Sequence, residues 1–129
     1  MIAIGIPDST EIPSFYQRYI AQVGGNNMFE GMLHAAKALR STIERVRPDQ
    51  EEHRYAPGKG SVKEVGQHVI DAERICAYRA LRFARNDATP LPGFEENDYV
   101  PAARGERRTL ADLMAEYTAV HHASLELFV

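Results

Sequence analysis

The sequence predicts an all-α protein, an antiparallel up-down bundle of helices. Three observations carry that prediction. Apolar residues recur every three or four positions along three long segments, which is the period of an amphipathic helix. Each segment opens on a residue that can cap a helix, because a short polar side chain accepts from a free first-turn amide. Prolines and glycines gather between the segments, where they interrupt helices.

Residues 1–27 read as an irregular arm, broken at Pro7 and Pro13 and closed by Gly24-Gly25-Asn26-Asn27. Within it Phe15, Tyr16, Tyr19, Ile20 and Val23 are spaced for a short helix. The first long helix is expected from Met28 to Val46, with Met28, Met32, Ala36, Leu39, Ile43 and Val46 on one face. Asn26 or Asn27 caps it, and Pro48 ends it by disfavouring α geometry in the residue before it. A polar loop follows over residues 47–60. Ser61-Val62-Lys63-Glu64 is a capping box, in which serine and glutamate satisfy each other's backbone amides. It opens a second long helix, with Val62, Val65, Val69, Ala72, Cys76 and Phe83 as its stripe and an end near Asn86. Residues 87–108 read as a long loop between antiparallel neighbours, packed on the body through Leu91, Phe94, Tyr99 and Val100. The third long helix starts at Thr109, with Leu110, Leu113, Tyr117, Val120, Ser124 and Leu127 inward. No stop signal precedes Val129, which leads to the expectation of a fourth helix missing from the chain.

The 129 residues fit one domain, and 44% hydrophobic content supplies a core,. No apolar run is long enough to span a bilayer. Met1–Asp8 is apolar but lacks the basic start and cleavage site of a signal peptide,. A net charge of -3 argues against nucleic acid as the main partner,. A single cysteine, Cys76, forms no internal disulfide; with no secretion signal, this suggests a reducing cytoplasm. Cys76 itself is expected as a small core residue.

His68 is the candidate site residue. It lies roughly 60° from the centre of the apolar stripe, with Glu64 one turn before it and Asp71 nearly one turn after. Neutral imidazole is a common metal ligand, and a nearby carboxylate can fix its tautomer. The competing reading is a histidine at the edge of the core, satisfied by Glu64 or Asp71. His121 falls at the edge of the inner face beside Met114 and Phe128 and His122 points outward; neighbours about 100° apart on a helix do not share one internal ion easily, and both read as surface histidines. His34 and His53 carry no assigned role. Arg74, Arg79, Arg82 and Arg85 read as a solvated face paired in part with Asp71, Glu73 and Asp87. The paired Glu-x-x-His signature of di-iron bundles is absent, as are His-Glu-x-x-His, Cys-x-x-Cys and a phosphate-binding glycine loop,.

A broader pattern runs through the chain. It comprises Tyr55-Ala56-Pro57-Gly58-Lys59, Ser61-Val62-Lys63-Glu64-Val65, His68-Val69-Ile70-Asp71, Glu73-Arg74, Ala77-Tyr78-Arg79-Ala80-Leu81-Arg82 and Thr89-Pro90-Leu91-Pro92-Gly93-Phe94. It continues through Asn97, Tyr99-Val100 and the helix from Thr109 to Phe128. Together these residues resemble the DinB-like (DinB/YfiT) metalloenzymes over nearly the whole chain. The resemblance implies a four-helix bundle, commonly a homodimer, and a divalent metal, often zinc or nickel, on three histidines. His68 matches the ligand of the second helix. The other two ligands belong to a fourth helix with no counterpart here, so the metal site is expected to be incomplete and residues 1–129 to form a single domain truncated before its last helix. Gly60 departs from the pattern, where relatives often carry tryptophan.

The expected function is a metal-dependent enzyme of the thiol-transferase or hydrolase type acting on a small-molecule or thiol substrate. In it the ion lowers the pKa of a bound water or thiol, with Glu64 or Asp71 as partner or base and residues 87–108 covering the site. The alternatives are a non-catalytic dimeric binding or stress-response module, and a small-molecule sensor with an apolar pocket between helices. If the chain stops at Val129, Leu113, Val120, Leu127 and Val69 are expected to face water. A second copy would then cover them by two-fold symmetry.

Overall fold

A computed structural model describes residues 4–129. Residues 1–3, the start of the apolar stretch Met1–Asp8, lie outside the described residues. Among the described residues the regular elements are all helical, with no strand: α1 Ser14–Ile20, α2 Met28–Ile43, α3 Val62–Ala84, α4 Glu96–Ala103 and α5 Leu110–Leu127, with short 3-10 turns at Ser9–Glu11, Pro48–Gln50 and Gly105–Arg107. Among them no helix is long and apolar enough to cross a membrane. They divide into two compact units that meet in sequence after Glu44.

In the first unit the N-terminal arm is tied to the start of α2 by the Met28 amide, which donates to the Ile4 carbonyl at 2.9 Å. Asn27 caps α2, accepting from the Glu30 amide at 3.1 Å. Met28, Met32, Ala36, Leu39 and Ile43 are half-buried along one face of α2, as its period predicts. The helix ends at Ile43, earlier than Val46, with Glu44 as its C-cap. Gly31 is buried, and the position is too tight for a larger residue, since a methyl there would meet Val23 Cγ1 at 2.7 Å.

The second unit is built on the pairing of α3 with α5. Both predicted caps form: the Glu64 amide donates to Ser61 Oγ at 3.2 Å, and the Asp112 amide donates to Thr109 Oγ1 at 3.0 Å. The end of α3 is a Schellman turn. Asn86 is left-handed at φ 53°, with Asn86 N–H donating to Phe83 O and Asp87 N–H to Arg82 O, both at 3.0 Å,.

Three expectations change here. First, α3 and α5 run parallel, not antiparallel. Gly66 faces Leu113, Arg74 pairs with Glu116, Glu73 meets His121, and Leu81 shares a groove with Leu127. Residue numbers rise together along both helices. The 18-residue α5 is about 27 Å long, so the chain must travel back that distance, which explains why residues 87–108 exceed a tight turn. Second, that segment is not a plain loop, since it contains α4 and a 3-10 turn. Third, the buried seam of α3 is Gln67 and Ile70, while Val65, Cys76 and Phe83 are exposed. The seam is centred about 150° around the helix from the apolar stripe.

The cause of that shift is a polar seam. Arg108 donates to Gln67 Oε1 at 3.2 Å and pairs with Glu116, which also takes Arg74. Gln67 in turn donates to Asp71 Oδ1 at 3.1 Å. Around this chain of partners Ile70, Leu110, Leu113 and Tyr117 form the buried apolar core. Leu113 therefore does not face water, while Val69, Val120 and Leu127 are half-buried.

Candidate functional site

His68 lies in the second turn of α3, half-buried, on the wall of a cavity of about 320 Å³. Tyr55, Lys59, Gly60, Glu64 and Val65 line it from the 47–60 loop and the start of α3. Glu96, Asn97 and Val100 line it from α4. Residues 87–108 thus contribute a wall beside His68, through a helix that the sequence does not announce. The volume is in the range of small-molecule pockets.

Neither expected partner of His68 bonds to it, and each has another partner. Arg54 grips Glu64 with two bonds, Nη2 to Oε1 at 2.8 Å and Nη1 to Oε2, and Glu64 Oε2 also accepts from the Ser61 amide at 2.8 Å. Arg54, and after it the Ser61 amide, holds the Glu64 carboxyl below its ordinary value. A carboxylate so stabilised as the anion is a poor proton acceptor near neutral pH. Arg54 Nη1 also donates to the Lys59 carbonyl at 2.6 Å, which pins the loop to α3 one turn before His68. Asp71 is engaged by Gln67 and lines a different cavity, with Arg74, Ile75 and Tyr99. His68 itself makes no hydrogen bond or ion pair among the described residues, so its ring nitrogens are available to a ligand.

His121 differs from its sequence reading. It is buried at 8% exposure, its Nδ1 lies 2.9 Å from Glu73 Oε1, and its ring stacks on Tyr117 with centroids 5.3 Å apart. Nε2 is buried without a partner among the described residues. Hydrophobic periodicity missed it, because a histidine paired across a seam looks polar in one dimension. His122 is exposed, as expected, as are His34 and His53. Cys76 is exposed, not a core residue.

The arginine row does more than face solvent. Arg82 pairs with Asp87, as predicted, and donates to the Thr89 carbonyl at 2.6 Å. Arg79 donates to the Pro92 carbonyl at 3.3 Å and lies over Phe94. Together they hold the segment leading to α4. Arg74 pairs with Glu116 rather than Asp71, and Glu73 belongs to His121.

Among the described residues no three His, Cys, Asp or Glu side chains are grouped to hold a metal ion. A protein metal site takes three or four ligands, so His68 with its neighbours does not make one by itself. The family model of the DinB superfamily matches residues 32–128. Comparison with curated proteins and with solved structures gave no match.

Proposed function

The chain belongs to the DinB superfamily, and from that premise we propose that it is a divalent-metal-dependent enzyme, of the thiol-transferase or hydrolase type, in which His68 is one metal ligand. The ion is zinc or nickel, and the other ligands come from outside the described residues. The observation that carries this reading is the state of His68: half-buried, on a pocket wall, with both neighbouring carboxylates committed elsewhere. A histidine kept to satisfy the core would use one of those carboxylates. Glu64 serves in this reading as a structural anion that fixes the pocket rim, and it does not act as the base. A four-helix bundle architecture is part of the same proposal, as is a cytoplasmic location.

His68→Ala is expected to reduce metal content, measured by elemental analysis of the purified protein, from about one ion per chain to none. Its far-ultraviolet helical signal should stay unchanged. A variant that keeps its metal overturns the ligand assignment. A wild-type protein that purifies without metal favours the non-catalytic binding module.

The same proposal includes a homodimer. Val65 and Phe83, eighteen residues apart on one face of α3, are both exposed, and large apolar side chains left bare on one face of a helix are commonly covered by a partner. Sedimentation is expected to give twice the chain mass, and Phe83→Glu is expected to shift it toward the monomer. A wild-type monomer at micromolar concentration defeats this part.

A further inference from the structure

The cavity beside His68 carries charges of both signs that no other described side chain neutralises. Glu64 is cancelled by Arg54. That leaves Lys59, on the loop before α3, and Glu96, in the first turn of α4, both lining the same cavity. Among the described residues the side chain of neither makes a hydrogen bond or an ion pair. Their neighbours do: Lys63 pairs with Glu51 and Glu52, and Glu95 caps α4 by accepting from the Asn97 amide. Two exposed opposite charges, neither paired among the described residues, border one cavity.

An anion entering this cavity would meet Glu96, and a cation would meet Lys59. Only a molecule carrying both signs satisfies both. The same cavity is lined by the apolar side chains of Val65 and Val100, suited to a short hydrocarbon span. We propose that the cavity takes a small zwitterion, an amino-acid-like molecule whose carboxylate meets Lys59 and whose ammonium meets Glu96, which brings its middle past His68. The inference rests on reading the His68 cavity as the working site. It goes further by naming the chemical class of the ligand and two residues that select it.

The test follows the histidine ring resonances of the full chain by NMR, with His68→Ala used to assign the His68 signal. The probes are unbranched ω-amino acids from glycine to 6-aminohexanoate. Saturable movement of the His68 signal is expected for one or two chain lengths. The N-acetylated and methyl-esterified forms of the same probe should bind at least about tenfold more weakly, as should the wild-type probe to Lys59→Gln or Glu96→Gln, a loss equal to about 1.4 kcal/mol. The double reversal Lys59→Glu with Glu96→Lys should restore binding, because a zwitterion can enter the other way round. Blocked probes that bind as well as the free one, or no movement of His68 with any probe, would overturn the inference. Failure here is separable from failure of the metal reading: metal that depends on His68 with no preference for zwitterions defeats only the ligand class. Zwitterion binding by a protein that never holds metal defeats only the metal assignment.

Discussion

Leu113→Ala is expected to destabilise the protein by about 2–5 kcal/mol, the cost of removing a buried leucine and leaving a cavity. Leu113 is 2% exposed and touches the α3 backbone region at Gly66, where a methyl would lie 3.6 Å from its Cδ1. With four large apolar residues buried, Ile70, Leu110, Leu113 and Tyr117, there is little else to absorb the loss. Against a domain stability of about 5–15 kcal/mol it is a large fraction. Urea denaturation measures it. Leu33→Ala is the matched control, since Leu33 is 56% exposed and should change stability by no more than about 0.5 kcal/mol. If the two variants unfold alike, the α3–α5 core is not where the structure places it.

The second large effect is on acid stability and belongs to Glu116. Arg74 first, then Arg108, donates to this carboxylate and holds its pKa below the ordinary 4.5. The folded state therefore binds the Glu116 proton more weakly than the unfolded state does. The stabilisation is fully present above the unfolded value and is lost as pH falls through the folded one. Glu116→Gln is expected to cost about 1–3 kcal/mol at pH 7, because two guanidinium groups lose a charged acceptor. The gap between wild type and variant should shrink as pH drops from 5 toward 3. Urea titrations at several pH values decide it. A gap that stays constant over that range would show that the pair is worth nothing as an ion pair. Glu64, held low by Arg54, adds to the acid sensitivity of both proteins equally and cancels in the comparison.

The polar seam also explains why the hydrophobic period misplaces the buried face of α3. Periodicity ranks Val65, Cys76 and Phe83 as core and Gln67 as surface. In the fold Gln67 is buried, because Arg108 and Asp71 satisfy both ends of its amide. A buried polar group costs little when it is fully bonded, and its partner lies 41 residues away, beyond any local window. His121 is the same case, with Glu73 at a separation of 48 residues.

What the sequence by itself determined is local. Helix starts at Asn27, Ser61 and Thr109 are written in side chains that bond two or three residues onward, and the α2 face follows from spacing alone. Family membership came from a pattern spread over nearly the whole chain, and the choice of His68 from its place on one helix. The tertiary structure alone decided which face of α3 is inside, that α3 and α5 run parallel, and that α4 supplies a wall beside His68. It also decided that Glu64 is taken by Arg54, ten residues before it. The division has one physical reason: caps and amphipathic faces are satisfied within a few residues, so the chain encodes them locally. Burial of a polar side chain, direction of a helix pair and freedom of a carboxylate depend on partners that only the folded chain brings within reach.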